Sequence, residues 1–443
     1  MMDNRFTKSA LLVLLVIASM ILLAACATPA PPAAPADAVS EEASDAPADT
    51  AAEEAVSSEY PEEMDVWLKE AKLGPYEESP QNWEEIEQAA KEEGEVVVYS
   101  ASSRIAKVAD AFMAKYPDIA VEYFDLGSVQ TVEKTVLEQD ANLYNVDIVT
   151  TGGSGQVIHE LVGNNRIINF VPDTVADEIP TDLKDPLLVR INEAIVFLYN
   201  TETYDAPPIS NVWELTTPEW KGKVVIKTPL ESLSNLMGVS TLVQHADEMA
   251  AAYERFAGEP IELSEGVPDA GYEFLYRLLK NDLVILKSGS KVAEAAGLAG
   301  QEAPPIGITS FTYIRYNDSK DFVNGVIADL DPVQALIYPT YTSIARQAPH
   351  PNAAKLFTAF LLGDPAIEAD TVIEPPYNEG ESAELLQGLA PYYEPGSQSP
   401  RMDVPLPQGG ELWSQLESWT VDPDFMWFES PKVRDFWIQE AAN

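Results

Sequence analysis

The 443-residue chain is 46% hydrophobic, enough to build proper cores, and its length has room for about two or three domains. Its formal net charge of −45, from 27 basic against 72 acidic residues and with nothing in the sequence resembling a basic stripe, argues against nucleic acid as a partner and against tight adsorption to anionic headgroups. One cysteine excludes an internal disulfide, so the compartment must be read from targeting signals.

At the start, Arg5 and Lys8 precede an apolar stretch over residues 10–25 that only Ser19 interrupts. Such a stretch is short for a transmembrane helix, which needs about 20 apolar residues, and residues 1–25 read as an export signal. Leu23-Ala24-Ala25-Cys26 resembles a bacterial lipobox. That resemblance implies a diacylated Cys26 as the first mature residue, anchoring an exported protein at the outer face of the cytoplasmic membrane, or in a periplasm where an outer membrane is present. A free thiol is the other reading of Cys26. Residues 27–68 hold eleven acidic residues and no Lys or Arg, so 26–63 is expected to be a disordered, self-repelling tether.

Residues 64–93 set Trp67, Leu68, Trp83 and Ile86 among charges, which predicts one or two short helices leading into the body. The segment GEVVVYSASS, 94–103, reads as a buried strand ending in hydroxyls, followed by Ile105, Val108, Ala109 and Phe112 at helical spacing. A strand is expected at 119–126, a helix at 131–139, and a strand over VDIVTTGGSG at 146–155. Farther on come an apolar strand at 193–200, a strand, turn and Ser/Thr-rich helix start over 220–235, and a strand at 304–311. This alternation predicts an α/β fold in two bodies, each with a parallel sheet covered on both faces. Ligands of such sheets sit beyond the carboxyl ends of the strands, so a cleft between the bodies is the expected site.

Six segments carry a family resemblance: GEVVVYSASS, AFMAKYPDIAVEYFDLGS, YNVDIVTTG, FLYNTETYDAPPISNVWELTTPEWKGKVVIKTP, GLAGQEAPPIGI and ARQAPHPNAAKLFTAFLLGDPA. In this order, over about 94–366, they resemble extracellular solute-binding proteins of ABC importers, in the branch of the ferric-iron-binding proteins. The resemblance implies the type II periplasmic-binding-protein fold, two α/β lobes joined by a two-strand hinge with the ligand cleft between them. It places lobe 1 at 94–197 plus 340–443, with an insertion at 371–398, and lobe 2 at 200–337. The hinge falls at 195–199 and 338–343. It further implies a monomer that captures a small-molecule solute by lobe closure and delivers it to a membrane permease with its ATPase.

An enzyme is not expected. His-Glu-x-x-His, Gly-x-Ser-x-Gly and Gly-x-x-x-x-Gly-Lys are all missing, and Ser288-Gly289-Ser290-Lys291 meets Ser-x-x-Lys without its partner motifs. His159, His245 and His350 lie far apart in the chain.

Iron-binding members of the family commonly use an adjacent tyrosine pair at the start of the lobe 2 helix, a His near the first strand and a Glu. Here that helix start reads Leu230-Glu231-Ser232-Leu233-Ser234-Asn235, and the first strand ends in Ser102 and Ser103. Only Glu138 stands where the family often has a glutamate, so it is the one candidate metal ligand. Ferric iron remains the alternative transported ligand, and no cofactor is implied. The residues themselves offer hydroxyls at strand ends and helix starts: Ser100, Ser102, Ser103, Thr150, Thr151, Ser154, Ser232, Ser234, Thr309 and Ser310. Helix N-termini carry partial positive charge and free N–H groups, which suits a small organic or phosphonate-type oxyanion. Helix capping is the other role open to each. Tyr313 and Tyr341 would add phenols, and Arg104 and Arg315 charge. A surface lipoprotein that adheres or scaffolds stays open as a second class. A sugar receptor would place tryptophans in the cleft, whereas Trp213 and Trp220 read as packing residues at a turn, and the tail with Trp413, Trp419, Trp427 and Trp437 reads as docking helices and loops.

Overall fold

The computed structural model describes residues 60–442 except 408 and 409. The export signal expected at 1–25, the lipidated Cys26 and nearly all of the 26–63 tether lie outside the described residues. Among the described residues no helix is long and apolar enough to cross a membrane.

Two helices lead in. The first, α1 (Glu62–Ala71), sets Glu62, Glu63 and Asp65 in its first turn, where the helix dipole favours anions, and buries Met64, Leu68 and Ala71 on one stripe. The second, α2 (Trp83–Glu93), starts from Asn82, whose side-chain oxygen accepts from the Glu85 N–H at 3.3 Å, and ends on Gly94 at φ 74°. Both join the core that holds the helix Pro351–Leu361. The Glu93 carboxylate accepts from the Asn352 and Ala353 N–H groups at that helix's start, at 3.1 and 2.7 Å. The buried Lys355 ammonium donates to the Ala71 carbonyl at 2.5 Å.

One sheet runs through the molecule. Its strands are β1 (Glu95–Ser100), β2 (Ala120–Asp125), β3 (Ile148–Gly152), β4 (Ile167–Ile168), β5 (Val189–Asn200), β6 (Val224–Lys227), β7 (Val284–Leu286), β8 (Ile306–Ser310), β9 (Asn324–Val326), β10 (Ala335–Ala345) and β11 (Ser418–Thr420). The main order is β2-β1-β3-β10-β5-β8-β6-β7. Strands β2, β1 and β3 pair in parallel, as do β7, β6 and β8. The long β5 and β10 lie antiparallel between these groups, with Val196 opposite Ala335 and Ile191 opposite Thr340. Two parallel α/β bodies are thus joined by a pair of long strands, and chain direction changes where they meet.

Helices follow the parallel strands: α3 (Ile105–Lys115) after β1, α4 (Ser128–Asp140) after β2 and α5 (Leu233–Gln244) after β6. In α3 the predicted stripe Ile105, Val108, Ala109 and Phe112 is wholly buried. Each strand end therefore delivers a turn and a helix start to the same side of the sheet.

The tail differs from expectation. The family resemblance places residues 340–443 in the first body, but Val421, Met426, Val433 and Trp437 enter the core of the second, beside Leu236 and Met237 of α5. The physical reason is that the C-terminal helix Ser430–Ala441 has Val433 and Trp437 one turn apart, and this stripe meets α5 and the helix Ala270–Lys280. Residues 371–398 form the helices Gly380–Leu386 and Ala390–Tyr393, which bury Leu386, Tyr392 and Tyr393 in the first body's core.

Candidate functional site

The carboxyl ends of β1, β3, β6 and β8 open onto one cleft of about 390 Å³. Ser102, Ser103, Thr150, Ser232, Ser234, Ser310 and Tyr313 line it, all residues expected there. Ser100, Thr151, Ser154, Thr309 and Tyr341 do not. Side chains alternate faces along a strand, so where Thr150 and Ser310 face the cleft their neighbours turn away. Thr151 donates to the Gly152 carbonyl at 3.2 Å, Thr309 to the Gly289 carbonyl at 3.4 Å, and Tyr341 is buried in the core with Leu233. Ser100 shapes its turn, donating to the Ser102 carbonyl and accepting from the Ser102 N–H, both at 3.1 Å. Ser154 is buried outside the lining, its Oγ without a partner among the described residues. Glu138 is likewise no cleft residue: it accepts from the Tyr99 hydroxyl at 2.7 Å and pairs with Lys134.

What dominates the cleft is positive charge. Arg104, Arg190, Lys227 and Arg315 line it against Glu193 and Glu231, in a chain of net charge −45. Arg190 owes its place to a break in register: Thr340 pairs with Ile191 and Tyr341 with Val189, so Arg190 is an extra residue on β5. Such a bulge re-aims side chains, and both Arg190 and Ile191 reach the cleft. Arg190 is 1% exposed; its Nε donates to Thr150 Oγ1 at 3.1 Å and its guanidinium lies over the Tyr392 ring. Its Nη1 is buried with no hydrogen-bond partner among the described residues, and so is the Tyr392 hydroxyl.

The other cations differ in their surroundings. Arg104 pairs with Glu193 at 3.0 Å, and Glu193 also accepts from the Tyr338 hydroxyl at 2.9 Å and Ser397 Oγ at 3.0 Å. Burial pushes the Glu193 carboxyl up, but Arg104 and these hydrogen bonds outweigh it and hold it below the ordinary value. Lys227 is half-buried, and burial holds its ammonium below the usual lysine value despite Glu193 and Glu231. Arg315 lies 5.3 and 4.7 Å from the ring centroids of Tyr313 and Tyr316; burial, then the charge of Arg104, lower its pKa. The Tyr313 and Tyr338 phenols are pushed up, chiefly by burial.

The bodies touch at one edge of the cleft. The Leu233 N–H at the start of α5 donates to Ser128 Oγ at the start of α4, at 3.1 Å. Gly153, at φ 100°, follows β3 there, and a Cβ on it would come within 2.5 Å of Leu233 Cδ1.

Sequence reasoning named Arg104 and Arg315 but missed Arg190, Lys227, Glu193 and Tyr392. A signal for Arg190 and Glu193 existed: both interrupt the apolar run LLVRINEAIVFLY, where a charge inside a strand is the informative residue.

Residues 99–368 match the family model of the bacterial extracellular solute-binding proteins, more than half of the chain. The chain belongs to that family. This solute-binding protein is similar in fold to iron-bound HitA from Pseudomonas aeruginosa, with a TM-score of 0.58 and 16% identity over 78% of this chain and 99% of that one. It is similar to Trichodesmium IdiA (FutA) in complex with iron and citrate, with a TM-score of 0.54 and 15% identity over 79% and 100% of the two chains. The likeness extends to MotA from A. tumefaciens B6 in complex with glucopine, at 0.52 and 15% over 78% and 99%. No curated protein sequence matches the chain. The two bodies are the lobes of the type II periplasmic-binding-protein fold, with β5 and β10 as the hinge. Family membership makes this chain an extracellular solute-binding protein rather than an enzyme. At these identities the likeness carries the fold and leaves the ligand to the chemistry of the cleft.

Proposed function

We propose that the cleft captures a small organic or phosphonate-type oxyanion, that the lobes close on it, and that the closed form delivers it to the permease. The observation that carries this reading is Arg190, a buried guanidinium with an unpartnered Nη1 and no carboxylate at ion-pair distance among the described residues. A buried charge without a counter-charge is costly, and an incoming oxyanion removes that cost. Ser102 and Ser103 before α3, Ser232 and Ser234 at the start of α5, and Thr150, Ser310 and Tyr313 supply hydroxyls around the same space. The Tyr313 phenol, its pKa raised by burial, stays protonated near neutral pH and can donate to an anion. In this reading the receptor is a monomer tethered through a lipidated Cys26 outside the cytoplasmic membrane.

Ferric iron is the second reading, and one observation favours it: Tyr313, Tyr316, Tyr338 and Tyr392 all line the cleft. Phenolates suit ferric iron. Against it, Arg315 lies over Tyr313 and Tyr316 and Arg190 over Tyr392, so three of these rings already face a cation. Like charge repels a trivalent metal ion.

Thermal melts of the full chain in a panel of carboxylates, phosphonates, neutral sugars and ferric citrate test the proposal. An anion at 100 times its Kd stabilises the folded state by about 2.7 kcal/mol and raises the melting temperature. Stabilisation by ferric ion alone overturns it in favour of iron. A flat panel together with adhesion to polymers or cell surfaces overturns it in favour of a scaffold.

A further inference from the structure

Building on the oxyanion reading, on which this step rests, we infer that the solute carries two or more negative charges and is held by cations of both lobes at once. The charges in the cleft do not cancel. Four cations in the lining face two carboxylates: Arg104 is paired with Glu193 at 3.0 Å, and Glu231, whose charge acts on Lys227 from beyond ion-pair distance, also pairs with the exposed Lys287 at 3.6 Å. That leaves Arg190 on one wall, bonded to Thr150 of β3, and Lys227 and Arg315 on the other, at and after the ends of β6 and β8. None of the three has a carboxylate within ion-pair distance among the described residues, and Arg190 Nη1 is buried without a partner.

A single negative charge would compensate one of these groups and leave the others facing each other in a cleft that closure shields from water. Unscreened charges interact more strongly as water leaves, so the surplus opposes closure. A doubly or triply charged oxyanion removes the repulsion between the walls, and its differential affinity for the closed form then shifts the lobes. The lining also limits shape. Among the described residues Ala101 and Ile191 are its only aliphatic side chains, and the volume is about 390 Å³. A ligand polar over its whole surface fits, and one with a hydrocarbon tail does not.

Isothermal titration of the full chain at fixed ionic strength tests this, with citrate, succinate, sulfate and inorganic phosphate against acetate and nitrate as probes. The expected result is that a multivalent probe binds about 100-fold more tightly than acetate. Lys227→Gln and Arg315→Gln each weaken that probe about tenfold and narrow its margin over acetate. Both side chains are half-buried, and melts of the unliganded variants at or above the parent temperature show that folding is intact. Equal affinity for monovalent and multivalent probes overturns the inference and leaves the oxyanion reading standing. Affinities weaker than about 1 mM for every anion overturn both.

Discussion

The Arg190 guanidinium lies 3.8 Å from the centroid of the Tyr392 ring, so a bulge in a hinge strand and a segment read as an insertion meet at one wall of the cleft. A cation over an aromatic face contributes about 0.5–2 kcal/mol, and here it also fixes where the guanidinium points. Tyr392→Phe keeps the ring and holds affinity for the bound anion within about twofold, whereas Tyr392→Ala loses about tenfold. Titration of both variants with the tightest anion of the panel checks this, and equal losses would show that the hydroxyl matters instead.

Glu193 is predicted to separate stability from binding. It ties Arg104 to Tyr338 and Ser397 across three different segments. Glu193→Gln leaves Arg104 without its counter-charge and destabilises the protein by about 2 kcal/mol in urea melts. The same change adds one uncompensated positive charge to the cleft, and anion affinity rises about threefold or more in titration.

Much of the site was legible because strand ends and helix starts are local features. The spacing Ile105, Val108, Ala109, Phe112 announces a buried stripe, and the hydroxyls before it, Ser102 and Ser103, fall in the cleft. Which of two adjacent threonines faces the cleft is not local: Thr150 and Thr151 are chemically alike, and only the pairing of β3 with β10 decides. The position of Arg190 depends on a bulge, which belongs to two strands and leaves no mark in one. No periodicity connects Tyr392 with Arg190, about 200 residues earlier, so that contact follows from tertiary packing. The tail shows the same limit: Val433 and Trp437 say that the last helix packs, but not against which lobe.

Lys355 predicts an alkaline gain in stability. Burial pulls its ammonium down to about 8, against the opposing charge of Glu77, from an ordinary value of 10.5. The folded pKa is the lower one, so between about 8 and 10.5 the unfolded chain binds more protons and stability from this group rises with pH. Below 8 both states are protonated and the cost of the buried charge is fully present. Lys355→Met is therefore more stable than the parent at pH 7 by about 1–3 kcal/mol, partly offset by loss of the bond to the Ala71 carbonyl. Denaturant melts from pH 7 to 10.5 should show this advantage shrinking, and a constant difference would contradict it.

The lipid anchor has its own test. If Cys26 carries acyl chains, Cys26→Ser moves the protein from the membrane to the soluble fraction, because a tether without acyl groups lacks the roughly 0.8 kcal/mol per buried CH2 that holds it. Retention of the variant in membranes would contradict the anchor.

Native mass spectrometry of the full chain, purified without denaturation and paired with metal analysis, tests the central claim most directly. The account predicts a co-purifying multivalent organic acid or phosphorus oxyanion at one per chain, lost in Arg190→Gln, with metal far below stoichiometric. Stoichiometric iron, retained in that variant, would contradict it and assign the cleft to the tyrosines.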